Sequence, residues 1–338
     1  MNFDFSDDQQ AIKRTAHEFL ASRFKSEKVR ELAEKGEYDD SLWAEISELG
    51  WPGIFLDESH GGMELGAVEL VIVQEELGYA LAPTPFLSNA AAALVLQHAG
   101  SDEQKERWLP GIATGEARGA VGVARNGEAL LVPDGDSADV IVLIDGDSAT
   151  LHESGSVERE LRDTIDSTRR YATVRGNGGE SLPGDVGPAL DRIEIAIAAE
   201  NVGIAQRAME MAVEYAKDRK QFDRPIGAYQ ATSHRCAQML LETESARSAA
   251  YYAGWVADNE PETLPIAASM AKAYASDAGW RVTASSLQVH GGIGFTWEHD
   301  LHFFLKRART NGTLFGSARQ HRERVAELAG LSREAAAV

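Results

Sequence analysis

Cysteine is almost absent from this 338-residue sequence. Cys236 is the only one, so no disulfide can form within the chain. No His or second Cys stands near it in its helical pattern, which reads as a packed, inert thiol and as no metal site. Basic residues are also scarce. Thirty-three Lys and Arg face 53 Asp and Glu, a formal charge of −20. A phosphate backbone needs a basic footprint, so nucleic acid is excluded as a general partner. No apolar run reaches the roughly 20 residues of a membrane-spanning helix. The start, Met1-Asn2-Phe3-Asp4-Phe5-Ser6-Asp7-Asp8, is acidic where a signal peptide would be basic. A soluble, cytoplasmic protein with no membrane attachment is the expectation.

Helical signals dominate the first 115 residues. Ser6-Asp7-Asp8-Gln9 has the form of a capping box and opens an amphipathic run to about Phe24. Asp40 or Ser41 can cap a second helix that stops at Gly50. Glu64 to Leu81 carries Leu65, Val68, Ile72, Leu77 and Leu81 mostly at helical spacing, and Pro83 and Pro85 end it. Phe86 to Ala99 is small and apolar throughout, the composition of a buried helix. Ser101-Asp102-Glu103-Gln104 repeats the capping box before a short helix ending near Pro110.

Residues 116–186 are rich in Gly and Asp. Asn126-Gly127 and Asp145-Gly146 are hairpin-turn dipeptides, Val140 to Ile144 is a β-branched run, and Ala149 to His152 is its return strand. The glycines from Gly176 to Gly187 read as a loop. Helix then returns in four segments, about 188–218, 228–258, 261–289 and 298–330. Val202, Ala205, Met209, Ala212 and Ala216 form one apolar stripe, and antiparallel packing into a bundle satisfies it. The fold class expected is mostly α: a helical domain over 1–115, a small middle β domain over 116–186, a four-helix bundle over 187–330, and a tail at 331–338.

Three stretches carry more than packing explains. Arg219-Lys220-Gln221-Phe222-Asp223-Arg224-Pro225-Ile226-Gly227 stands where one long helix ends, with Gln230 just beyond. Basic residues there complement the helix dipole, which accounts for Arg219 and Lys220 but not for Gln221, Phe222 and Gln230. An arginine at such a corner also suits a pyrophosphate, because its fork makes paired hydrogen bonds to anionic oxygens. Gln288-Val289-His290-Gly291-Gly292-Ile293-Gly294-Phe295 follows another helix. By itself it reads as an ordinary helix–helix turn, or as a place where backbone amides approach a ligand. Leu49-Gly50-Trp51 and Glu75-Glu76-Leu77-Gly78 read as helix–loop–helix packing.

In this order and at these separations the three stretches resemble the acyl-CoA dehydrogenase family, over nearly the whole chain. The resemblance implies a fold of helical domain, middle β domain and C-terminal four-helix bundle. It implies FAD as cofactor, an acyl-CoA thioester as substrate, and an electron-transfer acceptor. In the family the arginine corner and the Gln-Gly-Gly loop of one subunit reach the ADP portion of a neighbour's FAD. Arg219, Gln221, Phe222 and Gln230 would form the first contact, and Gln288, Gly291 and Gly292 the second.

The departures from the pattern are as informative. The family's middle domain carries a Thr-Glu-Pro-like turn followed by Gly-Ser-Asp. Here the stretch reads Val121-Gly122-Val123-Ala124-Arg125-Asn126-Gly127-Glu128. The family's base stands in a Glu-Gly-Thr-like loop, which here reads Leu314-Phe315-Gly316-Ser317, with Phe315 at the glutamate position. Loss of a general base is worth roughly 10²–10⁴-fold in rate. Some members carry the base on the first bundle helix, where Ile193 stands here with Glu194 beside it and Glu200 two turns on. A glutamate on an apolar helix face can serve as a base, or can sit in a buried ion pair. The pattern of loss implies a half-site subunit that completes the FAD site of a homologous catalytic chain in a hetero-oligomer. A self-sufficient homo-oligomer with a relocated base, and a non-enzymatic descendant of the family, are the alternatives. A shortened, heteromeric architecture further implies a bulky acyl group such as a steroid side-chain thioester.

Overall fold

A computed structural model describes residues 5–146 and 148–331. Apart from Leu331, the expected tail lies outside the described residues. Chain contacts divide the protein into two compact units. One takes in the chain up to Arg30, Val71–Ala82 and the chain from Glu194 onward. The other takes in Glu31–Leu70 and Pro83–Ile193. The helices of the first hundred residues are thus shared between the two.

The chain opens on α1 (Asp7–Arg23), closed at its start by the Ser6–Gln9 capping box in both directions. Helix α2 (Ser26–Lys35) was not expected. Six of its ten residues are charged, and only Val29, Leu32 and Ala33 are buried apolar residues on it. Helix α3 (Asp40–Glu48) is capped by Asp39, one residue before the expected pair: its Oδ1 accepts from the amides of Ser41 and Leu42. Then come α4 (Ala67–Ala80), α5 (Phe86–Ala99) and α6 (Asp102–Ala113). Pro110 does not end α6 but lies inside it, and the helix runs three residues further.

In the second unit, seven strands form one sheet: β1 (Gly119–Arg125), β2 (Glu128–Pro133), β3 (Val140–Asp145), β4 (Ser148–Glu153), β5 (Val157–Leu161), β6 (Tyr171–Gly176) and β7 (Glu180–Ser181). Their order is β5-β6-β2-β1-β3-β4-β7, with β1 and β3 parallel and every other pair antiparallel. Asn126-Gly127 turns the chain between β1 and β2 as expected, whereas Asp145 is the last residue of β3 and pairs with Ser148, so the turn there begins at Gly146. The glycine-rich loop after Gly176 yields β7, which was not expected. Buried Asn89 on α5 ties the layers together: its Nδ2 donates to Ile112 O at 3.1 Å, and its Oδ1 accepts from Gly119 N at 3.0 Å. Gly119 is required there, because a Cβ would stand 2.3 Å from the Ala92 methyl.

The C-terminal helices are α7 (Gly187–Asp218), α8 (Gln230–Asn259), α9 (Leu264–His290), α10 (Leu301–Asn311) and α11 (Ala318–Leu328). The expected fourth segment is two helices, divided by a loop and a third capping box, Ser317–Gln320. Within the first unit α4 crosses α7 at the closest approach that backbone allows. A Cβ on Gly203 would lie 1.9 Å from Glu75 O, and one on Gly78 would lie 2.2 Å from Glu200 O. The expected stripe closes a core of Ala205, Met209, Ala212 and Ala216 against Met239, Val282 and Val289.

Candidate functional site

The arginine corner is a two-stranded hairpin. β8 (Lys220–Gln221) pairs with β9 (Arg224–Pro225), and Phe222 and Asp223 form the turn. Both turn residues have positive φ, 51° and 64°, as a two-residue type I′ turn demands. That conformation suits Asn-Gly and is costly for a bulky aromatic residue. Phe222 is nevertheless held there with 88% of its surface exposed. The hairpin is braced from behind: Tyr229 Oη donates to Gln221 O at 3.0 Å, and the Arg224 guanidinium lies 3.9 Å from the Tyr229 ring centre.

Arg219, just past the end of α7, is exposed. Its amide donates to Tyr215 O and its carbonyl accepts from Ile226 N, so the backbone is fixed. Its guanidinium meets no carboxylate among the described residues. Gln230 opens α8 and is also exposed.

The glycine loop follows α9. Gly291 has φ 62° and ψ −137°, a conformation for glycine alone. A Cβ on Gly291 or on Gly292 would meet nothing within 4 Å. Gln288, one turn earlier, is exposed. Phe295 is exposed as well, at 73%. The two motifs are joined through their flanks, because the Tyr215 ring stacks on the His290 ring at 4.7 Å. His290 Nδ1 donates to Ser286 O at 2.8 Å, which anchors that ring to α9. An exposed arginine on a fixed backbone, with no carboxylate beside it, and glycines open to approach suit an anionic diphosphate.

The base positions are differently made. Glu200 is fully buried and committed to an ion pair: Oε1 lies 2.7 Å from Arg307 Nη1, and Oε2 accepts from Asn311 Nδ2 at 2.9 Å. Glu194 is held by Arg324 Nη1 at 3.3 Å and faces His321 Nδ1 at 3.6 Å. Phe315 sits half-buried in the loop between α10 and α11, at φ 52°. The stretch aligned with the missing middle-domain signature is strand β1 with its Asn126-Gly127 turn. A separate cavity of about 320 Å³ in the first unit is lined by Leu20, Phe24, Glu76, Tyr79, Arg207 and Phe303 among others, and by no residue of the arginine corner or the glycine loop.

Sequence reasoning missed Lys272, fully buried on α9, and His321, buried on α11. The available signal was a lysine set among Ala268, Ala271 and Ala275, at the spacing of a buried face.

Two family models match the chain: acyl-CoA dehydrogenase, N-terminal domain, over residues 6–116, and acyl-CoA dehydrogenase, C-terminal domain, over residues 188–329. Acyl-CoA dehydrogenase IpdE2 of Mycolicibacterium smegmatis is 33% identical over 95% of this chain and 98% of its own length. The chain belongs to the acyl-CoA dehydrogenase family. It is thereby assigned to the flavoprotein oxidoreductases acting on CH–CH bonds, with FAD as cofactor. Two solved structures share the fold. The ChsE4–ChsE5 complex from Mycobacterium tuberculosis has a TM-score of 0.90 and 24% identity, covering 98% of this chain and 100% of its counterpart. The Tcur3481–Tcur3483 steroid ACAD has a TM-score of 0.88 and 24% identity, covering 98% of this chain and 99% of its counterpart. No helix among the described residues is long and apolar enough to cross a membrane.

Proposed function

We propose that this chain is a half-site subunit of a heteromeric acyl-CoA dehydrogenase. It presents the arginine corner and the glycine loop to the ADP portion of an FAD whose flavin and catalytic base reside in a homologous partner chain. One contrast carries the reading. The outward contacts are built and open, with Arg219 unpaired by any carboxylate and Gly291 and Gly292 facing free space. The inward base positions are closed: Phe315 has no proton acceptor, and Glu200 is locked to Arg307.

In this reading Arg219 holds the pyrophosphate through paired charge-assisted hydrogen bonds, and the amides after His290 approach it from the second side. FAD, once bound, accepts the hydride from Cβ of the thioester. Gln221, Phe222, Gln230 and Gln288 would contribute to holding the ADP portion. The two similar solved structures are named for two chains, and one is named a steroid enzyme, which supports a two-chain assembly and a bulky acyl thioester such as a steroid side chain.

Expression of the chain alone and together with a homologous partner tests the proposal. The chain alone is expected to purify colourless and inactive, and the pair yellow and active with an electron acceptor. Stoichiometric flavin and turnover from the chain alone would instead establish a self-sufficient enzyme with a relocated base.

A further inference from the structure

Lys272 lies mid-way along α9 with no exposed surface. A buried ammonium is tolerated only where all three of its N–H groups find acceptors. Here they do: Nζ donates to Ser276 Oγ at 3.2 Å, to Asn311 O at 3.0 Å and to Gly316 O at 3.1 Å. Asn311 is the last residue of α10, and Gly316 directly precedes the Ser317 cap of α11. One side chain therefore ties both ends of the 312–316 loop to α9. A second buried group holds its centre. His321 Nε2 donates to Phe315 O at 3.0 Å, which fixes the tautomer with the proton on Nε2. Its Nδ1 faces Glu194, whose carboxylate also supports the Lys272 charge.

The loop so held is strained. Phe315 stands at φ 52° and Gly316 at φ 108°. A non-glycine residue persists there only where its surroundings over-determine it. Two side chains from two helices, meeting the carbonyls of Asn311, Phe315 and Gly316, supply that over-determination.

We propose that Lys272 and His321 are positioning residues which lock the 312–316 loop in the one conformation that presents Phe315 as an unreactive apolar wall to the acyl site. The proposal rests on the reading of Phe315 at the family's base position. Both residues meet the loop through its backbone carbonyls. The lock explains why a loop that has lost its reactive carboxylate keeps a costly geometry. It still shapes the wall against which an acyl group lies.

Hydrogen exchange of the full chain tests the lock, and steady-state kinetics of the flavin-loaded two-chain assembly test its purpose. In Lys272→Met and in His321→Ala the amides of 312–316 are expected to exchange at least about tenfold faster, with α7 and α9 keeping their protection. His321→Gln, whose amide can still donate to Phe315 O, should restore most of that protection. In the assembly, Lys272→Met should raise KM for the acyl-CoA by about tenfold with kcat within about threefold and flavin content unchanged. Should Lys272→Met fail to fold, the His321→Ala and His321→Gln pair carries both measurements. Unchanged loop exchange in the folded variants overturns the lock. Faster exchange with an unchanged KM shows that the loop does not border the acyl site, and overturns both the positioning role and the reading of Phe315 while leaving the flavin contacts standing.

Discussion

The Tyr215 and His290 rings stack with centroids 4.7 Å apart and planes 26° from parallel. Tyr215 precedes Arg219 by one helical turn, and His290 immediately precedes Gly291. This aromatic contact links the flanks of the two motifs that we propose face FAD. Tyr215→Ala is expected to leave each motif intact and lose their register. Flavin retention on dialysis should fall by about tenfold, with a stability loss of about 1 kcal/mol for the lost ring pair.

Arg219 itself should matter more to flavin than to folding. A bidentate contact to pyrophosphate is worth about 1.5–3 kcal/mol, so Arg219→Ala should weaken FAD binding in the assembly by about 10- to 150-fold. Arg219→Lys should recover only part, because an ammonium lacks the planar fork. With no carboxylate beside Arg219, the melting temperature of the free chain should hardly move. A variant that melts lower yet retains FAD like the parent would refute the cofactor role.

The hairpin tip predicts a trade between stability and binding. Phe222 occupies a left-handed position that asparagine prefers. Phe222→Asn should therefore stabilise the free chain by about 0.5–1 kcal/mol in urea titration. The same substitution should reduce flavin retention in the assembly, since it removes the ring that the chain exposes there.

Glu200 and Glu194 can be separated from catalysis by stability. Glu200→Gln removes the carboxylate that pairs with buried Arg307 at 2.7 Å and should cost about 3–5 kcal/mol. Once folded and flavin-loaded, assemblies carrying Glu200→Gln or Glu194→Gln should turn over within about tenfold of the parent. A loss of roughly 10³ or more with flavin content intact would identify that residue as the base.

Burial and the neighbouring Lys272 charge push the His321 ring from an ordinary 6.5 down to about 4. The unfolded chain then binds the proton more readily than the folded one between these values. Stability is present in full above about pH 6.5 and falls as the pH drops towards 4, by on the order of 3 kcal/mol at most. Lys272 is pushed by burial from 10.5 to about 8, partly offset by Glu194, so the cost of its charge is relieved as the pH rises through that window. Urea midpoints measured from pH 4 to pH 10 should lose the acid slope in His321→Gln and the alkaline rise in Lys272→Met.

The parts of this fold legible in the sequence are those where a local rule and the tertiary structure agree. Ser6–Gln9 and Ser101–Gln104 form the capping boxes their spacing announces, and Asn126-Gly127 turns the chain as expected. What was hidden depends on partners distant in sequence. Helix α2 offers only Val29, Leu32 and Ala33 as an apolar face, one short turn. The parallel pairing of β1 with β3 has no local mark. Phe222-Asp223 carries no type I′ signal, so the corner read as a helix break and not as a hairpin. Lysine is mostly exposed, so nothing in the residue type announced Lys272 as the anchor of a loop 39 and 44 positions away.

Gly292 is small where the subunit has no need of smallness. A side chain there would stand in open space, at a backbone conformation free of positive φ. Gly203, by contrast, is dictated by the chain's own helix crossing. A mutational scan read by abundance of the free chain should therefore be blind to Gly292→Ala and should punish Gly203→Ala severely. The same scan read by flavin in the assembly should detect both. The difference between the two maps would trace the footprint of an absent molecule, recorded in residues that serve no purpose of the subunit that carries them.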